Sequence, residues 1–379
     1  MNGRRDDRSG QRTPSVDGPP RPTGGARSVD GTPSAEGTRM FQEAASASHA
    51  VRAQLAHDAN AIDAIGAAVR RLAPRAVITC ARGSSDHAAT YAKYLIETRA
   101  RVLTASAAPS VSSVYGVAQD LSGCLFIAIS QSGRSPDLLA TVAAAKASGA
   151  TILVLCNDRD APLAGAADLC VELRAGPETS VAATKSYLAT LAALARFVAA
   201  WTNDAALKED LETLPALMDT SWSLDWSAAL GVLRPAANLY VIGRGLGLGA
   251  AQEVALKCKE TCGLHAEAFS SAEVRHGPYT LLGPGFPAMF LAQNDATRLG
   301  LESVADELAR RGVPVVLAGA ATQPARGDRA IILPTLEVAA ALGPILHVQS
   351  AYRLIASLAV RRGFDPDHPA HLRKVTETV

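Results

Sequence analysis

The sequence predicts an α/β fold in which two parallel sheets follow one another along the chain. Short runs of β-branched and aliphatic residues alternate with longer alanine-rich stretches of helical periodicity. This alternation is typical of parallel strands joined by crossover helices that cover both faces of the sheet. The same order of elements recurs at an offset of about 160 residues, which indicates a tandem repeat of one α/β unit.

Composition and element order divide the chain into four regions. Residues 1–38 are rich in Gly, Pro, Ser, Arg and Asp, and we expect a disordered tail because they hold almost no large apolar side chain. Residues 39–202 carry the first unit and residues 229–379 the second. Residues 203–228 are polar, contain a proline and form the predicted connection.

Each unit contains a series of short apolar runs that read as buried strands. In the first unit these runs are residues 76–80, 102–105, 125–129, 151–155 and 168–173. In the second unit the corresponding runs are residues 238–242, 288–292, 314–317 and 329–334, followed by a helix near residues 346–358.

The loop after the third strand carries the strongest functional signal of the first unit. Its side-chain donors are clustered around Gly133: Ser130, Gln131, Ser132 and Ser135. Pro136 suits the first position of the following helix, and Ser135 suits its N-cap. Free backbone N–H groups and the positive end of a helix dipole favour an anion, so the loop predicts a phosphate site. The alternative is an ordinary capped turn.

The second unit lacks this loop chemistry and carries a different polar stretch. Gln293-Asn294-Asp295 stands where the first unit has Ser130-Gln131-Ser132, so we assign the phosphate to the first unit. Glu253, Lys257 and Glu260 share one helix face, and histidines follow at 265 and 276, with further carboxylates at 267 and 273. Such a set could move protons on a sugar phosphate, although a solvated stripe of ion pairs is the alternative.

Charge and cysteine content exclude several other classes of protein. The 379 residues carry a net charge of +1, which gives no reason to expect a nucleic-acid partner. The six cysteines form no C-x-x-C pair, and we expect free thiols and no metal. Without an apolar run long enough for a membrane span or a signal peptide, we expect no membrane partner and a cytoplasmic protein. Gly243-Arg244-Gly245 could suggest a nicotinamide enzyme, but Leu248 breaks the G-x-G-x-x-G pattern, so no cofactor is expected.

Four segments together resemble the sugar isomerase (SIS) family in its double-domain form. They read ISQSGRSPD, SVAATKSY, ALKCKETCGLHAEA and EVRHGP, and the resemblance covers about residues 45 to 379. Specifically, the chain resembles the isomerase half of glutamine–fructose-6-phosphate aminotransferase and the SIS-type glucosamine-6-phosphate deaminases. The resemblance implies two flavodoxin-like domains, a sugar-phosphate ligand and a homodimer whose site lies near the subunit boundary.

The resemblance also implies roles for individual residues. It places Ser130, Gln131, Ser132 and Ser135 in the phosphate cradle, and Ser85 and the Val181 backbone on the sugar. Glu260 matches the base that moves a proton between C1 and C2, and Lys257 the lysine one turn before it. His276 matches a ring-opening histidine from the neighbouring subunit, and Lys374 a lysine that forms a Schiff base with the ketose.

Two features decide between the members of the family. Asn2 follows Met1, whereas the aminotransferase has a nucleophilic cysteine there, and we expect no folded glutaminase domain before residue 40. Ala183 stands where the aminotransferase pattern usually has a serine. The expected reaction is therefore deamination of glucosamine 6-phosphate to fructose 6-phosphate and ammonia. The alternatives are aminotransferase-type activity, another hexosamine phosphate such as galactosamine 6-phosphate, and a sugar-phosphate-sensing regulatory module.

Overall fold

The computed structural model describes residues 34–319 and 330–374. Most of the predicted tail therefore lies outside the described residues. In the first region a sheet of five parallel strands has the order β2-β1-β3-β4-β5. Its strands are β1 (Ala76–Cys80), β2 (Thr104–Ser106), β3 (Cys124–Ser130), β4 (Thr151–Cys156) and β5 (Leu169–Glu172). The helices of this region are α1 (Arg39–Ala45), α2 (Ala47–Leu72), α3 (Ser84–Arg99), α4 (Pro109–Ser113), α5 (Pro136–Ala147), α6 (Pro162–Ala166) and α7 (Lys185–Thr202).

The second region contains another five-stranded parallel sheet, of order β10-β9-β8-β6-β7. Its strands are β6 (Asn238–Gly243), β7 (His265–Ser270), β8 (Ala288–Leu291), β9 (Val315–Ala318) and β10 (Ala330–Leu333). The helices are α8 (Ala205–Ser223), α9 (Leu230–Leu233), α10 (Gly247–Cys262), α11 (Arg298–Arg310) and α12 (Gly343–Arg361). Read from the other edge, this order is the same as that of the first sheet.

The predicted strands are present, and one further strand was not predicted. β7 pairs with β6 at the edge of the second sheet. Its sequence HAEAFS alternates small and polar residues, and half of its side chains are only partly buried. An edge strand of this kind lacks the continuous apolar run by which the central strands are recognised. The predicted connection 203–228 is occupied mainly by the single long helix α8.

Helices from both regions form the layer between the two sheets. α7 is apolar on all sides, and nearly all of its residues are buried, as expected for a helix surrounded by others. α3 packs directly on α10. At this contact a Cβ atom on Gly249 would lie 2.5 Å from the backbone oxygen of His87, so only glycine permits the approach. No helix within the described ranges combines the length and apolar content needed to cross a bilayer.

The strand order creates a crevice at one place in the first sheet. β1 and β3 are neighbours, but the chain leaves β1 toward β2 and leaves β3 toward β4. The loops that follow these two strands therefore diverge, and ligands of doubly wound sheets bind at such a switch point. These loops are residues 81–85, which read ARGSS, and the predicted phosphate loop around Gly133.

Candidate functional site

A cavity of about 350 Å³ lies at this switch point. It is walled by the loops after β1 and β3, the segment before α7, helix α10 and the C-terminal segment. It brings together most of the predicted site residues: Ser85, Ser130, Gln131, Ser132, Ser135, Val181, Lys257, Glu260 and Lys374. Five separate parts of the chain thus contribute to one polar space.

The loop after β3 forms the predicted tight turn between a strand and the start of a helix. Gly133 has φ of +62°, and a Cβ atom there would lie 2.7 Å from Cβ of Ala161, so glycine is required. The Gly133 N–H donates to Oγ of Ser130 over 3.1 Å, which holds the turn. Ser135 is the N-cap of α5, but its hydroxyl makes no capping bond, and Pro136 occupies the first helical position. The Ser135 hydroxyl is therefore available to a ligand.

Arg82 and Asp137 form an ion pair beside the cradle that the sequence analysis did not identify. Nε of Arg82 lies 2.9 Å from Oδ2 of Asp137, and the Asp137 side chain is almost completely buried. Both residues line the cavity. A bare carboxylate there would repel a phosphate dianion, so the guanidinium group neutralises it. Arg82 stands two residues after the end of β1, and this position was the available signal.

The charged face of α10 is buried rather than solvated. Glu253 and Lys257 have side chains that are 0% and 1% exposed, whereas Glu260 is 21% exposed. Nζ of Lys257 lies 3.3 Å from Oε1 of Glu253 and 2.5 Å from Oε2 of Glu260. It also donates to Oγ of Ser84 over 3.0 Å. The alternative of a surface stripe of ion pairs is wrong, because tertiary packing encloses two of its three members.

Hydrogen bonds hold the buried Glu253 as a carboxylate. Its oxygens lie 2.9 Å from Nδ1 of His87 and accept a hydrogen bond of 2.9 Å from the Tyr352 hydroxyl. Burial alone would raise the pKa of Glu253, but the charge of Lys257 and the His87 and Tyr352 bonds outweigh it, so the pKa is lowered. Burial would likewise lower the pKa of Lys257, but Glu253 and Glu260 raise it. This leaves Glu260 as the carboxylate of α10 that lines the cavity.

A second buried carboxylate, Glu178, holds the predicted Schiff-base lysine. Nζ of Lys374 lies 3.2 Å from Oε2 of Glu178 and donates to the backbone oxygen of Ser180 over 2.7 Å. Glu178 also accepts hydrogen bonds from the backbone N–H of Thr184 and from the hydroxyl of Ser186. Burial would raise the pKa of Glu178, but the Lys374 charge and these bonds lower it. Glu178 was not predicted as a site residue, because it is a single carboxylate in an irregular segment without helical or strand periodicity.

The predicted histidines do not lie in this cavity. His276 follows β7, is exposed and is absent from the residues that line the space. His265 is also exposed, and its Nδ1 lies 2.9 Å from Oδ1 of Asn238. A single chain therefore brings the cradle, Glu260 and Lys374 together but not His276.

The corresponding place in the second sheet is closed. Gln293, Asn294 and Arg298 surround a space of only about 10 Å³ there. Arg298 makes ion pairs with Glu302 at 3.1 Å and with Glu337 at 2.9 Å. Among the described residues, this space is too small for a phosphate group. Within the described residues, no cluster of His, Cys, Asp or Glu could hold a metal ion.

Comparisons with known proteins identify related chains. The SIS domain model matches residues 73–200 and 232–361. Glutamine–fructose-6-phosphate aminotransferase from Pyrobaculum aerophilum is 34% identical over 317 residues, which cover 80% of this chain and 51% of that protein. The enzyme of the same name from Mycolicibacterium smegmatis is 34% identical over 316 residues, covering 79% and 50%. The chain thus spans about half the length of these curated relatives.

Solved structures show the same architecture. A Silicibacter pomeroyi protein proposed to be a phosphosugar isomerase has a TM-score of 0.82 and 38% identity, covering 87% of this chain and all of that one. The C-terminal domain of the Francisella tularensis aminotransferase has a TM-score of 0.79 at 26% identity, covering 90% of this chain and all of that one. Glucosamine-6-phosphate deaminase from Thermotoga maritima has a TM-score of 0.72 at 20% identity over 90% of this chain and all of that one, a likeness of fold.

Proposed function

Because this chain belongs to the SIS family, we propose that it is an amino-sugar phosphate isomerase that converts glucosamine 6-phosphate and water to fructose 6-phosphate and ammonia. One observation carries the proposal. The phosphate cradle, the Glu260 carboxylate and the Lys374 amine line the same cavity. Anion binding, proton transfer and carbonyl chemistry could therefore act on one substrate.

The chemistry assigned to these residues follows from their charges and positions. The Ser130, Ser132 and Ser135 hydroxyls bind the phosphate, and Arg82 offsets the charge of Asp137 beside it. Glu260 takes a proton from C2 of the open-chain amino sugar and returns it to C1, while one proton of the substrate ammonium group passes to the C1 oxygen. This leaves a hydroxyl at C1 and a protonated imine at C2. The Lys374 amine adds to C2, ammonia leaves, and water then releases fructose 6-phosphate and the free lysine.

Lys257 supports the proton transfer by contacting Glu260, the proposed base. Its ammonium group contacts both Glu253 and Glu260 and offsets the negative charge of the two carboxylates. Glu260 is held toward the cavity by this contact and remains partly accessible. A base in this position can reach a bound sugar, whereas Glu253 is fully enclosed.

Aminotransferase-type activity is the second candidate. The curated relatives that match this chain bear that name. Ala183 favours deamination instead, because it lines the cavity with a methyl group where the aminotransferase pattern has a serine hydroxyl. A hexosamine phosphate of another stereochemistry would use the same residues.

The test is ammonia release by the purified chain. Glucosamine 6-phosphate, galactosamine 6-phosphate and their N-acetyl forms are supplied separately, with K374R as the matched control. We expect ammonia from glucosamine 6-phosphate and none from K374R, since a guanidinium group cannot form the Schiff base. Glutamine-dependent amination of fructose 6-phosphate would support the aminotransferase instead. Tight sugar-phosphate binding without turnover would support a regulatory module.

We also propose that a homodimer completes the site. His276 lies outside the cavity of its own chain, and the family resemblance takes this histidine from the neighbouring subunit. H276N and E260Q homodimers are each expected to be inactive. Mixed dimers would regain activity, because one of their two sites would hold both native residues, whereas no regain would contradict the shared site.

A further inference from the structure

The short helix α1 connects the two chain segments that hold Lys374. It is itself anchored in the core, because Met40 and Ala44 are completely buried. The Phe41 ring packs edge-on against Trp222 with ring centres 4.8 Å apart. α1 also packs against α12. These contacts make α1 a fixed platform rather than a mobile extension.

The first turn of α1 binds the C-terminal segment through Asp367. The N–H groups of Arg39 and Met40 each donate to one carboxylate oxygen of Asp367, both over 2.8 Å. The first N–H groups of a helix have no partner within it, so this bidentate contact satisfies two of them. Hydrogen bonds to a charged acceptor are stronger than neutral ones. Asp367 itself is 8% exposed, which shields the contact from solvent.

The other end of α1 binds the loop that accepts the lysine. The Glu43 carboxylate accepts hydrogen bonds from the N–H groups of Thr179, at 2.5 Å, and Ser180, at 3.1 Å. The backbone oxygen of the same Ser180 accepts from Nζ of Lys374 over 2.7 Å. Glu43 thus fixes the backbone that receives the amine.

These contacts form a closed ring. Asp367 attaches the C-terminal segment that carries Lys374 to the start of α1. Lys374 bonds to Ser180, and Ser180 is bonded in turn to Glu43 of α1. Between Asp367 and Lys374 the chain has one buried residue, Pro369, and the side chains of residues 370–373 are exposed. The location of the amine therefore depends mainly on where this segment is attached at its two ends.

We propose that α1 positions the Lys374 amine in the cavity, with Asp367 and Glu43 as the two positioning residues. The inference rests on the proposed function of Lys374 as the Schiff-base lysine. Neither carboxylate lines the cavity or touches the reacting atoms. Their loss should therefore change the chemistry of the lysine rather than the binding of phosphate.

The experiment compares D367N and E43Q with two matched controls in the full chain. D160N makes the same change at an exposed aspartate that belongs to neither α1 nor the C-terminal segment. E36Q makes the same change as E43Q at an exposed residue before α1. The conservative D367E keeps both acceptor oxygens and should recover much of the wild-type behaviour.

The first readout is borohydride trapping in the presence of fructose 6-phosphate. The Lys374 amine and the C2 carbonyl lose water to form an imine, and borohydride adds hydride to carbon while solvent protonates nitrogen. D367N and E43Q should each slow trapping and kcat by about 10- to 100-fold, the scale of a misplacement near 1 Å. KM should change little. In the double variant, the reduction of kcat should be much smaller than the product of the two single reductions, because both substitutions break the same set of contacts.

The second readout is independent of any substrate. Mass spectrometry measures how fast Lys374 is acetylated by a lysine-selective reagent in folded protein. D367N and E43Q should each accelerate this labelling at least several-fold, while D160N and E36Q match the wild type. If borohydride traps no ketose on the wild-type protein but Lys374 is acetylated faster in both variants, the proposed function is wrong and the positioning role is supported. Wild-type labelling in both variants overturns the positioning role.

Discussion

Nζ of Lys257 lies 3.3 Å from Oε1 of Glu253 inside the protein, and the two side chains are 1% and 0% exposed. Both charges have lost their hydration, so each depends on the other and on the surrounding hydrogen bonds. The pair also joins the two regions of the fold, because Ser84 at the start of α3 bonds to both residues.

Removing one member of this pair should strongly destabilise the protein. We expect K257M to lower the free energy of unfolding by about 3–5 kcal/mol, since Glu253 would remain as a buried charge. Urea unfolding followed by circular dichroism measures the change. The control is R52M at the exposed pair with Asp219, where a loss of at most about 1 kcal/mol is expected. Equal losses in the two variants would contradict the role of burial.

The pH dependence of stability follows from the directions of the pKa shifts. The pKa of Glu253 and Glu178 is lowered on folding from 4.5, so their contribution is complete above that value and is lost as pH falls through the folded pKa. The pKa of Lys257 is raised from 10.5, so its contribution is complete below that value and is lost as pH rises through the folded pKa. We expect a plateau of thermal stability between these limits. In E253Q the melting temperature should fall less steeply as the pH is lowered below 4.5. An unchanged fall at acid pH would refute this assignment.

The phosphate cradle can be tested at Ser132. S132A should weaken binding of the phosphorylated sugar by about 1–3 kcal/mol, because a charged acceptor loses a hydroxyl donor. The fold should persist, since the loop depends on Gly133 and on the Ser130 hydroxyl. KM for glucosamine 6-phosphate measures the effect, with S223A at the exposed end of α8 as control. An unchanged KM in S132A would remove this serine from the cradle.

The proton transfer can be tested at Glu260. E260Q should lower kcat by about 100-fold or more while substrate still binds, because an amide cannot accept the proton. Exchange of deuterium from C2 of the substrate should be lost in parallel. E267Q changes the same charge at an exposed residue of β7 and should retain full activity. Normal turnover by E260Q would assign the base elsewhere.

The sequence by itself determined the elements whose signals are local. Apolar runs located the central strands, and serine, glycine and proline spacing located the tight loop after β3 and the start of α5 at Pro136. These features depend on neighbours within one loop or one helical turn, so their residue types are readable directly. The edge strand β7 was missed because its partial exposure leaves no such pattern.

The tertiary structure alone decided which charges are buried and which distant residues meet. The spacing of Glu253, Lys257 and Glu260 fits a solvated stripe equally well, and only packing against α3 and α12 encloses it. Glu178 and Lys374 are separated by 196 positions, and no local preference reports their contact. Burial and long-range pairing depend on how helices pack between the two sheets, which a periodicity within one segment does not encode.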